Sequence, residues 1–276
     1  MNFRRIQWIF LIAFIAIDIF LGLSLTSDKP FTVTSKSTSQ ESAIIKEMKN
    51  DSITIGKLSN KLSSGYYISS DENDNALQNN VSKLKNQVAS YSDNELNSTF
   101  ESTIKIDPAH PQKVLNKVIK DQSKVLFGTH YVYDARLSAE KDGMIVYVQK
   151  GPDLHVLSDD GQLRFKVRNK DTVTGYTQTY MSNIQILREE ETTISQKKAV
   201  FWLYQHNEIP NNSKIKWAKL GYVKLLSSKG NNVYIPTWVI GIQTKNTDST
   251  QIRQINAFTG TLIKANSNLL NESSSN

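Results

Sequence analysis

The longest apolar stretch of the chain covers residues 6–25, which contain one charged side chain, Asp18. A helix of this length can cross about 30 Å of hydrocarbon. Arg4 and Arg5 precede the stretch, and basic residues favour the cytoplasmic side of a membrane. The pattern therefore predicts an uncleaved, single-pass helix in the cell membrane, with residues 1–5 in the cytoplasm and the C-terminal domain extracellular.

Asp18 lies near the middle of this predicted anchor, where an ionised carboxylate is costly to bury in lipid. Helical spacing puts Leu11, Phe14, Gly22 and Leu25 on much the same face as Asp18. One interpretation is that this face contacts the transmembrane helix of a partner, which Gly22 would allow to approach closely. The other is that Asp18 is a tolerated polar residue whose carboxylate extends toward the headgroups.

Beyond the anchor, the pattern changes repeatedly between helical and strand periodicity. A linker rich in Ser, Thr and Lys is predicted over residues 26–40 and a polar, disordered tail over residues 266–276. Capping-box spacing marks two helix starts, at residues 38–41 and 193–196. The predicted helices are 38–50, 74–91 and the segments around 114–119 and 199–204, and the predicted strands are 53–62, 65–69, 96–106, 125–136, 144–149, 154–157, 163–167, 215–226, 233–244, 252–258 and 262–265.

The strands follow one another without regular β-α-β alternation, which predicts an α+β fold with antiparallel sheets. A helix, a long hairpin and a short hairpin occur twice in the same order. We therefore predict two antiparallel-sheet subdomains with packed helices, the first over residues 41–186 and the second, a helix plus hairpins, over residues 187–265. Turn signals at residues 159–161 and 229–231 support the hairpins.

The composition argues against catalytic and metal sites. The absence of Cys excludes disulfides and thiolate chemistry, and the four histidines, at positions 110, 130, 155 and 206, do not have metal-binding spacing. Residues 71–75 begin like a calcium loop, but Ala76 stands where Gly is needed and Ser82 where a bidentate Glu is needed. Nucleophile and phosphate-loop motifs are also missing. We expect no enzymatic activity, no metal and no cofactor.

The net charge of +7 is concentrated near the C-terminus, where residues 194–264 contain ten basic and two acidic side chains. By alternation, Lys214, Lys216 and Lys224 share one side of a predicted strand and form a candidate basic face. This face either provides solubility and protects a sheet edge or meets an anionic neighbour: lipid headgroups, wall polymers or an acidic partner domain. With five residues in the cytoplasm, no nucleic-acid partner is expected.

The anchor and several later stretches together resemble a known family. These stretches are Gly-Tyr-Thr-Gln-Thr-Tyr at 175–180, Leu-Gly-Tyr at 220–222, Val-Tyr-Ile-Pro-Thr-Trp at 233–238 and Ile-Asn-Ala-Phe-Thr-Gly at 255–260. Their order and spacing resemble the YycI family of low-GC Gram-positive bacteria over essentially the whole chain. The last helix-plus-hairpin unit also resembles PepSY modules, which share the Asn-Ala-x-Thr-Gly ending.

The resemblance to YycI implies a non-enzymatic membrane protein that acts with its relative YycH on the sensor histidine kinase WalK, which governs cell-wall metabolism. It also implies contact between the anchor and the kinase's transmembrane helices, with Asp18 as a candidate contact residue. An alternative is a PepSY-like module that restrains an extracytoplasmic protease, and a third is a wall-active enzyme. The motif residues are expected to be structural, with Gly260 at a positive backbone angle, Pro236 at an edge or bulge and Trp238 in the core; the full set is Gly175, Tyr176, Tyr180, Tyr222, Pro236, Trp238, Asn256 and Gly260.

Overall fold

The computed structural model describes residues 7–8, 11–19, 37–72, 75–140, 143–245 and 250–263. The chain divides into two units, residues 1–47 and 48–276. Residues 11–19 are helical, but among the described residues no helix has the length and apolarity that crossing a membrane requires. Much of the predicted anchor and linker, and all of the predicted tail, lie outside the described residues.

Besides the helical residues 11–19, four α-helices and fourteen strands are defined within the described residues. The helices are α1 (Ser37–Asn50), α2 (Gln112–Val118), α3 (Ala135–Glu140) and α4 (Gln196–Gln205). The strands are β1 (Ser64–Gly65), β2 (Ile68–Asp71), β3 (Gln87–Ser92), β4 (Glu95–Lys105), β5 (Tyr131–Tyr133), β6 (Met144–Gln149), β7 (Gln162–Arg168), β8 (Thr172–Gln178), β9 (Gln185–Ile186), β10 (Glu191–Thr192), β11 (Ser213–Ser228), β12 (Asn231–Thr244), β13 (Thr250–Asn256) and β14 (Leu262–Ile263).

The first sheet has the order β3-β4-β8-β7-β6-β5, with antiparallel neighbours throughout. Helix α2 packs against it through Leu115 and Val118, which join a cluster with Tyr147, Phe165 and Tyr176. The tyrosine and phenylalanine rings meet at tilted or edge-on angles, the arrangement that aromatic quadrupoles favour. This cluster is the core of the first sheet.

The second sheet is built around β12. Strand β11 pairs along one edge of β12, while β2 and β13 share the other edge, extended outward by β9 and β14. The turn between β11 and β12 has positive φ at Lys229 and Gly230, as a two-residue hairpin turn requires. The sheets pack on each other where Val146 and Val148 meet Trp217.

The predicted α+β class with antiparallel sheets is confirmed. Helix α1, helix α4 and the β11–β12 and β13–β14 hairpins agree with the pattern to within a few residues. Each half also contains a helix and then four strands paired in sequence order, β5–β8 and β11–β14, with α3 inserted between β5 and β6 in the first half. The predicted subdomain boundary at residues 186 and 187 stays a prediction.

The helix predicted over residues 74–91 is wrong. A 3-10 helix (Gln78–Lys83) is followed by an extended Leu84, a positive φ at Asn86 and then strand β3. Leu77, Val81 and Leu84 do face the first core, so the apolar spacing is real up to that point. Val88, the next residue of the pattern, is 74% exposed. The helical spacing of apolar residues therefore extends to Val88 in β3 only by coincidence.

Three predicted strands and one predicted turn also need correction. Residues 154–157 form isolated bridges, at His155 and Val156, rather than a strand. Residues 53–62 have one isolated bridge, at Thr54, rather than a strand. Residues 125–136 contain only β5, because a 3-10 turn precedes it and α3 begins at Ala135. Residues 159–161 form a 3-10 turn instead of a hairpin turn, since β7 pairs with β6 and β8. Strand β8 itself was not expected; Gly175, a weak strand former, lies at its centre.

Candidate functional site

The sequence predicts that Lys214, Lys216 and Lys224 share one side of a strand, but β-bulges in β11 interrupt the alternation. Lys214 pairs with Gln243 and Lys224 with Tyr234. Paired residues lie on the same face of a sheet, and these two partners are an odd number of positions apart on β12. Lys214 and Lys224 therefore lie on opposite faces, because the bulge at Lys216 changes the alternation. A role for these lysines in binding stays a prediction.

Lys224 lines a cleft of about 240 Å³ whose walls include residues of both sheets. The end of β2, the turn between β3 and β4, the turn before β7 and the segment after β8 form its walls. Among the described residues that line the cleft, five are acidic and one is basic; the acids are Asp71, Glu72, Asp93, Asp159 and Asp160. A cleft lined mainly by one sign of charge focuses the field. This cleft therefore favours cationic or hydrogen-bond-donating groups.

Hydrogen bonds fix several of the acids in the cleft. The Tyr234 hydroxyl donates to Asp160 Oδ2 at 3.0 Å, and burial, together with the nearby Asp160 charge, raises the pKa of Tyr234. The tyrosine therefore stays protonated and keeps donating. Asn183 Nδ2 donates to Asp71 Oδ2 at 2.6 Å, and Arg164 forms an ion pair with Asp159.

Gly175 and Tyr176 hold the first sheet together at the β4–β8 junction. A Cβ at Gly175 would lie 2.1 Å from the carbonyl oxygen of Ser98, so only glycine fits. The ring of Tyr176 is fully buried, and its hydroxyl donates to the carbonyl of Lys124 at 2.9 Å. Burial raises the pKa of Tyr176. Both residues thus make packing contacts within the sheet, and the prediction that their role is structural stays a prediction.

The other two motif tyrosines are held by polar contacts. The ring of Tyr180 stacks on Phe127 with centroids 4.5 Å apart, and its hydroxyl lies 2.8 Å from His130 Nδ1. Tyr180 also lines the cleft. Tyr222 is buried, and its hydroxyl donates to the Asp153 carboxylate. Tyr180 is thus the motif tyrosine that connects the first core to the cleft.

Pro236 lies at neither of the places predicted for it, an edge strand or a bulge. It lies in the central strand β12, between the residues that pair with β2 and those that pair with β13. A proline is tolerated at this gap because its missing N–H breaks no strand pairing there. Trp238 is buried as predicted, and its indole N–H donates to the carbonyl of Ile194 at 2.9 Å.

Asn256 and Gly260 shape the last turn. The Asn256 side-chain oxygen accepts from the backbone N–H of Phe258 at 2.9 Å, and Gly260 N donates to the carbonyl of Asn256 at 2.8 Å. Gly260 has a φ of +75°, which confirms the predicted positive backbone angle. This Asn-to-Gly turn closes the β13–β14 hairpin.

The predicted anchor face lies partly within the described residues. Leu11, Phe14 and Asp18 are exposed on the helical segment 11–19, where their spacing places them on one side. Gly22 and Leu25 lie outside the described residues. All of residues 11–19 are exposed, so a contact role for this face stays a prediction.

The described residues do not assemble a metal centre. No group of three or more His, Asp or Glu side chains within them could hold a metal ion. His130 contacts Tyr180, and His206 stacks on Trp202 in another part of the fold. The acidic cleft is the feature that sequence reasoning missed. Its acids come from three separate turns, and the recurrence of acid pairs at strand ends was the only signal.

The family model described as YycI protein matches residues 33–258, and no curated protein matches the chain. Among solved structures, it is similar to an uncharacterized protein from Eubacterium rectale, with 10% identity over 78% of this chain and 92% of the other and a TM-score of 0.44. It is also similar to the C-terminal domain of YpeB from Bacillus megaterium, with 13% identity over 84% and 96% and a TM-score of 0.35. Since the family model spans most of the sequence, the chain belongs to the YycI family, which is associated with the WalK/WalR two-component system.

Proposed function

We propose that the protein is a non-enzymatic, membrane-anchored regulator of a WalK-like sensor histidine kinase that controls cell-wall metabolism. In this proposal it acts with a YycH-like membrane protein, through its transmembrane helix and its extracellular domain. The observation that carries the proposal is the match of the YycI family model to residues 33–258. The apolar stretch at 6–25 and the preceding arginines support the membrane location.

The anchor supplies the proposed contact with the kinase. Leu11, Phe14 and Asp18 lie on one side of the helical segment 11–19, and the same spacing extends the face to Gly22 and Leu25 in the sequence. A carboxylate deep in the bilayer costs roughly 3 kcal/mol. A hydroxyl, amide or basic group on a partner helix would recover part of that cost. A hydrogen bond to Asp18 would therefore favour association of the two helices.

The test is association of the full chain with the kinase's transmembrane region, measured by a bacterial two-hybrid assay and by crosslinking in membranes. Interhelical hydrogen bonds contribute about 0.6 kcal/mol on average and up to about 1.7 kcal/mol. We therefore expect Asp18→Leu to weaken association by a factor of about 3 to about 20. Ala16→Leu, which changes the opposite side of the helix, is the matched control and should leave association unchanged.

Two results would contradict the proposal. If Asp18→Leu inserts normally and keeps wild-type association and kinase output, the anchor face does not recognise the kinase. If purification of the full chain from membranes returns an extracytoplasmic protease and no kinase, the PepSY-like alternative replaces the regulator. The repeated helix-plus-four-strand arrangement is the structural feature that this alternative would use.

The orientation of the chain has its own test, because the sequence contains no Cys. A single cysteine at Asn60, which is exposed, should react with a membrane-impermeant maleimide in intact cells after removal of the wall. A cysteine at Asn2 should react only after lysis. The reverse pattern would place residues 48–276 in the cytoplasm and end the proposal.

A further inference from the structure

The irregular segment 54–61 brings together lysines from distant parts of the second unit. Thr54 forms a parallel bridge with Lys214, and its carbonyl accepts from Ile215 N at 2.9 Å. Ser59 N donates to Gln196 Oε1 at 2.9 Å, and the Ser59 carbonyl accepts from Lys197 N at 3.1 Å. The segment therefore lies against both the start of β11 and the first turn of α4.

These contacts create one strongly basic surface. Lys245 joins it because its N–H donates to the carbonyl of Asn212 at 2.8 Å, just before β11. Asp51 lies nearby, but its carboxylate accepts from the Tyr204 hydroxyl at 2.8 Å. The lysine surface consists of six exposed lysines, Lys57, Lys61, Lys198, Lys214, Lys216 and Lys245.

The helix within this surface has positive charges in its first turn, where they are unfavourable. Helix α4 is capped by the Ser195 side chain, which accepts from Lys198 N, and its first turn contains no acid. Lys197 and Lys198 occupy that turn instead. Cations near a helix N-terminus oppose the helix dipole. The exposed Lys198 therefore does not stabilise the helix through its dipole.

An exposed leucine beside the lysines points to lipid rather than to a soluble polymer. Leu62 is 57% exposed and follows Lys61 directly, in the sequence Lys-Leu-Ser-Asn-Lys-Leu at 57–62. Alternating cationic and apolar side chains suit the boundary between headgroups and acyl chains. In the sequence, Thr54 follows Met48, the first residue of the second unit, by six positions.

We propose that the lysine surface docks on the anionic headgroups of the membrane that holds the anchor, with Leu62 entering the interface. This inference rests on the membrane location in the proposed function. Docking would fix the face that residues 48–276 present to the bilayer, and with it the face that remains available to partners.

The test uses the full chain with one cysteine, Asn60→Cys, carrying a nitroxide spin label. The labelled protein is reconstituted in nanodiscs of phosphatidylcholine, with or without phosphatidylglycerol. Collisions with oxygen report lipid exposure, and collisions with a water-soluble nickel complex report water exposure. We expect the label to lose nickel collisions and gain oxygen collisions only in the anionic discs. High salt should reverse the effect, because it screens exposed charges.

Matched charge variants sharpen this test. Lys57→Gln with Lys61→Gln should lower the ratio of docked to undocked protein about fivefold for each lysine removed. Lys113→Gln with Lys117→Gln makes the same charge change at two exposed lysines of α2 and should leave the ratio unchanged. An equal loss in both variants would mean that net charge rather than this surface attracts the protein, and would overturn the proposal.

The remaining outcomes separate this inference from the proposed function. If the chain enters both kinds of nanodisc and the label stays in water in both, docking is refuted while the anchor stands. If the label is protected only after addition of a soluble polyglycerol phosphate, the surface binds wall polymer and the lipid proposal is wrong. If the chain enters neither kind of disc, the anchor and the docking proposal fall together.

Discussion

The ion pair between Lys219 and Asp134 joins the two sheets, and breaking it should destabilise the fold. Lys219 lies on β11 of the second sheet, and Asp134 directly follows β5 of the first. The Asp134 side chain is 2% exposed. Its Oδ1 also accepts from Arg136 N at 3.1 Å and Leu137 N at 3.0 Å, at the start of α3. One carboxylate thus caps a helix and holds the ammonium group of the facing sheet.

The expected loss in the free energy of unfolding depends on which buried charge each substitution leaves without its partner. Removing one partner of a fully buried ion pair costs roughly 3–5 kcal/mol. The Lys219 side chain is 27% exposed, so water reaches the site, and Asp134 keeps two backbone donors. We therefore expect Lys219→Met to lower the free energy of unfolding by about 2 kcal/mol. Asp134→Ala also removes the helix cap, which adds about 1 kcal/mol.

The assay is urea denaturation of the two single variants and the double variant, followed by tryptophan fluorescence. Trp217 is a suitable reporter because its indole N–H donates to Glu140 of α3 at 2.9 Å. A coupling energy of about 1–2 kcal/mol is expected from this cycle. The control is Lys105→Met with Asp171→Ala, an ion pair whose side chains are 71% and 41% exposed, for which no measurable coupling is expected. Equal coupling in the two pairs would refute the reasoning from burial.

Two further predictions concern packing and pH. Gly175→Ala should lower the free energy of unfolding by about 3 kcal/mol, because the added Cβ meets a backbone oxygen that cannot move aside. Gly56→Ala is the control: its Cβ would have nothing within 4 Å, so it should change the free energy of unfolding by less than about 0.5 kcal/mol. Similar urea midpoints for both variants would contradict this. Hydrogen bonds from Ser123 lower the pKa of Asp121, and the hydroxyl has a larger effect than the backbone N–H. The ionised Asp121 therefore stabilises the folded state above the unfolded-state pKa, and this stabilisation is lost as the pH falls through the lower folded-state pKa. Ser123→Ala should raise the pKa of Asp121 in a carboxyl NMR titration, and an unchanged titration would show that the hydroxyl has no effect.

The sequence predicts best where local signals agree. The β11–β12 hairpin combines alternating apolar residues with a Lys-Gly-Asn turn, and α4 combines a serine cap with an apolar stripe. It predicts worst where one pattern fits two structures. The spacing from Leu77 to Val88 suits an α-helix, but the fold places these residues on a 3-10 helix, an extended segment and a strand. The acidic cleft was beyond prediction, because its three turns meet only through pairing between distant strands.

One inserted residue decides how the basic side chains of β11 are distributed. With uninterrupted alternation, Lys214 and Lys224 would share a face and Lys219 would lie on the other. The bulge at Lys216 instead keeps Lys219 on the face of Lys214 and Trp217, where it meets Asp134 between the sheets.

The same bulge sends Lys224 to the opposite face, into the acidic cleft. The excess of basic residues between 194 and 264 is therefore divided among an inter-sheet ion pair, a cleft and an outer surface, and does not form a single basic face. Arg253 is also engaged, through Glu208 at 3.1 Å. The lysines at the start of β11 remain exposed beside segment 54–61, so this end of the strand is where an anionic neighbour would act.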